Sequence, residues 1–482
     1  MTTPELIAVA DESRINETSP AVTATAPESE VARFYDEHDA VYRSFWDSDG
    51  SLHWGVFDDS RDKDFVSACQ DWNVIMRSRA DLSPSSKVLD IGCGNGTTAL
   101  WLAESTGCSV TGIDVSGVRI EAARRAGVAS PRLRVEFVQA SATDLPFADA
   151  QFDVGWSQAC LYHVADRRTA LREIARVLSN GATFVFDDLT TPPGEVSTIG
   201  QRYVYERLMF ERGFSRTQYL DELSSAGFVV HEMCDLTTHL RRSYLLLRDR
   251  AASVHPALAK AYGHVVEAID AGDVEWTSYV CERVVDRLEW IYRDDHPRPL
   301  SARYDAWAKT YESDLGAGWD HVAGEVAALL RDTRGTTQQR VLDVGCGTGL
   351  CGAALSSRGF SDVVGADISS GMLEIAARRG VYTGLHRWDV AADPPPFDGG
   401  FAAIVAVGIF TFGHVGGNGL AAVRSLLADA GVAVISYRPE FLEADDVFRR
   451  ELEHHEWSEV ARRELTIFGS ERLVMVALRR GN

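Results

Sequence analysis

Two nonapeptides hold the residues best suited to chemistry: Val88-Leu89-Asp90-Ile91-Gly92-Cys93-Gly94-Asn95-Gly96 and Val341-Leu342-Asp343-Val344-Gly345-Cys346-Gly347-Thr348-Gly349. In each, an apolar run carries an Asp (Asp90, Asp343) just ahead of alternating glycines. A glycine loop between a strand and a helix lets a ligand approach the backbone, where helix N-terminal amides meet its acidic group. Two ligand classes answer to such a loop. Gly347, Gly349 and Gly352 spell the dinucleotide spacing G-x-G-x-x-G, with Asp367 twenty residues beyond Gly347. Gly94, Gly96 and Ala99 nearly do the same, with Asp114. The carboxylates of Asp90 and Asp343 decide between the classes. They repel a pyrophosphate but attract a ligand that carries an ammonium and a sulfonium and no phosphate. S-adenosylmethionine is that ligand, and the residues favour it over NAD.

A loop of this kind needs a sheet beneath it, and the surrounding sequence supplies one twice. Lys87–Ile91, Ser109–Asp114, Arg134–Gln139, Phe152–Ser157 and Thr183–Asp187 read as strands. They alternate with helical stretches at Thr97–Ser105, Val118–Ala126 and Arg167–Leu178. Short apolar runs flanked by amphipathic stretches signal a mostly parallel sheet with helices on both faces, an α/β fold. The second copy repeats the pattern through Ile404–Val407, Leu420–Leu427 and Val432–Ser436, with Ser301–Leu330 helical ahead of it. The repeat period is far too long for a solenoid, so it marks two whole domains in tandem. The expected organisation is a disordered tail over 1–28, a first domain over 29–293, a linker over 294–300 and a second domain over 301–482. The tail is rich in Ala, Thr, Ser, Pro and Glu, and the linker is polar and twice interrupted by proline.

Bulk properties narrow the function. The 482 residues carry 48 Lys and Arg against 70 Asp and Glu, a net charge of −22 that disfavours nucleic acid and anionic membranes as partners. No apolar stretch approaches the ~20 residues of a membrane span, and Met1-Thr2-Thr3-Pro4-Glu5 does not read as a secretory signal. The eight cysteines form no C-x-x-C pair, which points to reduced thiols in a cytoplasm and to no metal centre. The expected ligand beyond the cofactor is a small-molecule substrate. The oligomeric state is not legible.

Both nonapeptides match the D-x-G-x-G-x-G motif of the class I S-adenosylmethionine-dependent methyltransferases, and the chain resembles that Rossmann-like family. The resemblance implies that Gly92, Gly94 and Gly96, with Gly345, Gly347 and Gly349, line the methionine part. It implies that Asp114 and Asp367 hold the ribose hydroxyls, and that Asp144 and its counterpart Asp389 accept from the adenine amino group. The first copy resembles the sarcosine/dimethylglycine N-methyltransferases over about residues 30–290, through Val31–Asp36 and Ser51–Phe57, Gly155–His163, Phe184–Asp188 and the insert Arg202–Phe228, with the tocopherol and cyclopropane-fatty-acid methyltransferases as related families. The second copy, with Tyr304–Ala308, Thr411–Gly416 and Ile435–Phe441, resembles the Williams–Beuren-region methyltransferase-like family over about residues 300–480.

Methyl transfer from a sulfonium requires alignment of the acceptor, exclusion of water and a free lone pair on the acceptor. His163 and His53 are the candidate bases of the first domain, with Tyr162 as a positioning hydroxyl, and His414 is the candidate of the second. The alternative is that these histidines only hold loops closed over the pocket. Trp54 and Trp156 offer a cation-binding face or plain packing, and Cys93 and Cys346 are small residues between glycines. The reading is therefore a bifunctional methyltransferase of a small metabolite, with an amine or amino acid as first choice. O- or S-methylation, or a second copy that only binds or dimerises, are the alternatives.

Overall fold

The computed structural model describes residues 28–46, 50–58, 63–209, 213–293, 296, 298–316, 318–467 and 471–481. The expected tail lies outside these residues except for Glu28, as do residues 294, 295 and 297 of the expected linker. Contacts divide the chain between Arg283 and Val284, ahead of the proline-rich stretch, with Gly227–His231 grouped with the second unit. The early division has a packing cause. Trp290 and Ile291, on the helix Arg287–Ile291, are buried in one cluster with Trp307 and Leu315 of the second unit.

The first sheet has seven strands: β1 (Lys87–Ile91), β2 (Ser109–Asp114), β3 (Arg134–Gln139), β4 (Phe152–Gln158), β5 (Leu178–Thr190), β6 (Phe228–Asp235) and β7 (Glu275–Arg283). Their order is β3-β2-β1-β4-β5-β7-β6. Pairings from β3 to β5 are parallel, and β7 runs antiparallel to β5. The second sheet repeats the plan with β8 (Val341–Val344), β9 (Val363–Asp367), β10 (Gly384–Arg387), β11 (Phe401–Phe410), β12 (Leu427–Tyr437), β13 (Trp457–Ile467) and β14 (Glu471–Arg480), in the order β10-β9-β8-β11-β12-β14-β13. Each is the mostly parallel, helix-flanked sheet expected from the alternating apolar runs.

A central parallel strand is covered on both faces and so must be apolar almost throughout. In β1 and β8 the residues Val88, Leu89, Val341 and Leu342 are fully buried. Truncating Leu89 to Ala would cost about 2–5 kcal/mol. The reversal of strand order lies at β1/β4 in the first sheet and at β8/β11 in the second. Parallel sheets open a crevice at such a reversal, beyond the carboxyl ends of the strands, and both glycine loops sit there. After β5 the first unit inserts a long segment that includes the helices Arg216–Ser225, Thr237–Ala251 and Pro256–Asp270. After β12 the second has only Pro439–Ala444 and Asp446–Leu452. Among the described residues, no helix is long and apolar enough to cross a membrane.

Candidate active site

Each glycine loop leaves its strand through a left-handed residue. Gly92 has φ +75° and Gly345 φ +68°. A Cβ on Gly92 would lie 2.2 Å from Cys160 Sγ, and one on Gly345 would lie 2.1 Å from Ile409 Cγ2, so side chains are excluded at both positions. The amides of Gly92 and Cys93 donate to the Ile113 carbonyl, and those of Gly345 and Cys346 donate to that of Ala366. The loops then end in the helices Thr97–Thr106 and Leu350–Ser357.

The acidic residues after the second strand of each unit are built alike. Asp114 Oδ2 accepts from the Gly94 amide at 3.0 Å and Oδ1 from the Ser116 amide at 2.8 Å. Asp367 accepts from Gly347 at 2.8 Å and from Ser369 at 2.9 Å. Burial raises the carboxyl of Asp114, and it pushes that of Asp367 up to about 6. Asp90 is buried in front of the first loop, and its Oδ2 has no hydrogen-bond partner among the described residues. Burial, helped by the charge of Asp114, pushes its carboxyl up to about 7. An orphaned carboxylate beside loop amides suits a ligand that brings an ammonium, so the donor set fits the amino-acid half of S-adenosylmethionine.

One cavity of the first unit brings together the glycine loop, Asp90, Asp114, His53 and His163. Asp144 is exposed and is not among its lining residues, whereas Ala140 and Ala142 are. Asp389, after β10, caps a turn by accepting from the Ala391 amide. Tyr162 is buried behind the cavity. Its ring lies 4.0 Å from that of His163, and its hydroxyl interacts with that of Tyr35.

Residues outside the expected set complete the arrangement. The first is Tyr35, on the helix Glu28–Arg43, whose hydroxyl lies 2.6 Å from His163 Nε2. Burial, then Arg119 and Arg167, push the His163 imidazole down to about 3, so it is neutral near pH 7. The next residue, Asp36, accepts from the Ser116 hydroxyl and the Val118 amide, tying the helix to the wall that carries Asp114. The second unit repeats the device. Tyr304 lies 2.7 Å from His414 Nε2, and Asp305 accepts from the Ser369 hydroxyl at 2.6 Å and the Gly371 amide at 2.8 Å. A shared signal was present: a Tyr-Asp dipeptide ahead of both glycine loops.

The loop that carries His163 is braced from β5. Asp187 accepts from the Ala159 amide at 3.2 Å and from the indoles of Trp72 and Trp276, each at 2.8 Å. Asp188 accepts from the Tyr162 amide at 2.8 Å and from the Tyr219 hydroxyl. Arg167 donates to the carbonyls of Leu161 and Tyr162. These bonds hold Ala159 at φ +48°, a strained value for a residue with a side chain. His53 lines the cavity with Nδ1 3.1 Å from the Trp54 carbonyl. Trp54 packs edge-on against Trp276, and the Trp156 indole donates to Gln158. Both tryptophans pack, and neither lines the cavity. Burial raises the thiols of Cys93 and Cys346 well above their usual range, which removes the thiolate a nucleophile would need.

Known proteins match both copies. A family model described as "Methyltransferase domain" matches residues 89–186, and a second with the same description matches 341–431. An O-methyltransferase of Aspergillus sclerotiorum is 31% identical over 228 residues, which is 47% of this chain and 86% of that protein. The 27-O-demethylrifamycin SV methyltransferase of Amycolatopsis mediterranei is 31% identical over 228 residues, 46% of this chain and 82% of that protein. A glycine/sarcosine/dimethylglycine N-methyltransferase of Actinopolyspora halophila is 28% identical over 253 residues, 52% of this chain and 41% of that protein.

Proposed function

Because the chain belongs to the S-adenosylmethionine-dependent methyltransferases, we propose that it holds two active centres which methylate a small metabolite in turn, an amine or amino acid being the acceptor of the first. The repetition of the tyrosine–histidine pair beside both glycine loops carries this reading. A copy kept only for binding would need the glycine loop but not a base. The N-methyltransferase relative supports the amine for the first copy. In the second, Tyr304-Asp305 and Thr411–Gly416 support a likeness to the Williams–Beuren-region methyltransferase-like family. The acidic surface and the free cysteines support a cytoplasmic setting.

When bound, S-adenosylmethionine supplies a methyl group already activated by a sulfonium. Asp90 and the amides of the glycine loop would hold its amino-acid half, and Asp114 its ribose hydroxyls. Asp343, Asp367 and the second loop would do the same in the other unit. The protein then has to strip water from the acceptor and take its proton. Burial leaves His163 neutral near pH 7, so it presents an uncharged ring to the acceptor, and its bond to Tyr35 fixes the orientation of that ring. His53 forms part of the same wall. In the second unit both ring nitrogens of His414 are engaged, Nδ1–H donating to the Phe412 carbonyl and Nε2 accepting from the Tyr304 hydroxyl, so a proton from the acceptor would reach His414 by way of Tyr304.

The test combines mass spectrometry with three variants. His163→Asn should lower turnover of the first step by about 10²–10⁴-fold while S-adenosylhomocysteine affinity stays within twofold of the parent, roughly. Asp114→Ala and Asp367→Ala should stall differently, one on unmodified substrate and the other on a partly methylated intermediate. Equal product distributions from these two would refute separate steps. O-methylation of a hydroxyl is the second reading, favoured by the two O-methyltransferase relatives at 31% identity. A product whose added methyl sits on nitrogen would exclude it.

A further inference from the structure

The two glycine loops share a backbone path, but the aspartates in front of them meet different surroundings. In the first unit Asp90 Oδ2 is buried without a hydrogen-bond partner among the described residues. In the second, the Tyr382 hydroxyl donates to Asp343 Oδ2 at 2.7 Å. The Gly352 amide, one of the free N–H groups in the first turn of the helix Leu350–Ser357, donates to the same carboxylate.

Gly352 is the third glycine of the dinucleotide-like spacing, and its purpose is local. A Cβ there would lie 2.3 Å from the Tyr382 hydroxyl, so the residue must be glycine for that hydroxyl to reach Asp343. The first unit has Ala99 in this place. The space beside its loop is filled by Phe137, whose ring would meet a Cβ on Gly96 at 2.7 Å. In the second unit the Tyr382 ring would meet a Cβ on Gly349 at 3.1 Å. A phenylalanine fills the volume without a donor, whereas a tyrosine brings one.

A buried carboxylate without donors is costly, and a ligand's ammonium relieves that cost. For Asp90 the relief has to come from the ligand. For Asp343 two donors are already in place, although burial still pushes its carboxyl up to about 7, and an incoming ammonium must share the carboxylate with a tyrosine hydroxyl that would otherwise be orphaned. We propose that the second unit is the weaker cofactor site and recognises its ligand mainly through the nucleoside half, because Tyr382 holds Asp343 satisfied in advance. This rests on the reading that both units bind S-adenosylmethionine.

Calorimetry on the full chain separates the possibilities, with S-adenosylhomocysteine and 5′-deoxy-5′-methylthioadenosine, which lacks the amino-acid part, as probes. Asp367→Ala leaves the first site to be read, and Asp114→Ala leaves the second. At the first site, loss of the amino-acid part should weaken binding by roughly 10- to 100-fold, the worth of a charge-assisted hydrogen bond. At the second site the loss should be clearly smaller. Tyr382→Phe should raise the second site's ratio toward that of the first. Gly352→Ala, which forces the tyrosine hydroxyl aside, gives the same readout if the phenylalanine variant does not fold. Equal ratios at the two sites, or a second-site ratio that neither variant moves, would overturn the proposal alone. A second site that binds neither probe would overturn the two-centre reading as well.

Discussion

Asp90 makes the first cofactor site sensitive to pH, and the size of the effect follows from its surroundings. Its carboxyl is raised to about 7 by burial, with Asp114 adding repulsion. The other titratable groups that face it are the thiols of Cys93 and Cys160, both raised and neutral near pH 7. A folded-state value above the ordinary carboxylate range means the empty protein holds a proton there that the unfolded chain releases. Its contribution to stability is therefore largest below the ordinary value near 4 and is lost as pH rises through 7. An ammonium ligand reverses the balance, because it binds the ionised form and expels the proton. The ionised fraction is about a tenth at pH 6 and about nine-tenths at pH 8, so affinity should rise about tenfold over that interval, or about 1.4 kcal/mol. The assay is calorimetry with S-adenosylhomocysteine on the Asp367→Ala chain, in buffers of different ionisation enthalpy. About one proton should be released per ligand at pH 6. Asp90→Asn should flatten the profile and lower the affinity at pH 8. A flat profile in the parent, or an unchanged slope in the Asn variant, would refute the assignment of the ammonium to Asp90.

Gly92→Ala places a side chain at φ +75° and 2.2 Å from Cys160 Sγ. It should cost about 1–3 kcal/mol of stability and at least tenfold, roughly, in first-site affinity. Adding Cys160→Gly should recover only part, since it removes the contact and not the backbone strain. Asp187→Ala strips the acceptor from the indoles of Trp72 and Trp276 and from the Ala159 amide. Each orphaned donor costs about 1–3 kcal/mol, so the urea midpoint should fall by the equivalent of about 3 kcal/mol or more. Asp187→Asn, which keeps one acceptor, should fall less.

The strands and glycine loops of both copies were legible because their signals are local. β1, β2 and β3 run over the residues that their apolar patterns indicate, and Asp114 and Asp367 stand at one spacing from their loops in both copies. β5 is longer than the Thr183–Asp187 run suggests. Ser179-Asn180-Gly181 reads as a turn, yet the strand spans it through a register shift against β4. Ser301–Leu330 is helical as its periodicity indicates, but it breaks into three helices around Thr310 and Gly316. The acceptor side was less legible because sequence distance hides it. Tyr35 and His163 are 128 residues apart and meet only through the sheet. Their Tyr-Asp signal lies 57 residues before Gly92 in one copy and 41 before Gly345 in the other, so a search at fixed spacing misses it. The path of the chain after β3 leaves the Asp144 side chain exposed.

The antiparallel last strands of each sheet have a bearing on how such a chain can change. β7 returns beside β5, and β14 beside β12. Whatever is inserted after the fifth strand therefore starts and finishes on a fixed framework, on the far side of β1 and β4 from the walls that carry Asp114 and Asp367. An insertion there lengthens a connection whose closure entropy grows only slowly with length, and in the first copy its helices pack into the core, with Leu240, Tyr244, Leu247 and Tyr262 buried in one cluster with Trp46 and Trp54. The two copies show both extremes, several helices in one and two short ones in the other. The segment after the fifth strand can thus change in this fold while the glycine loop and the aspartate ahead of it keep their places.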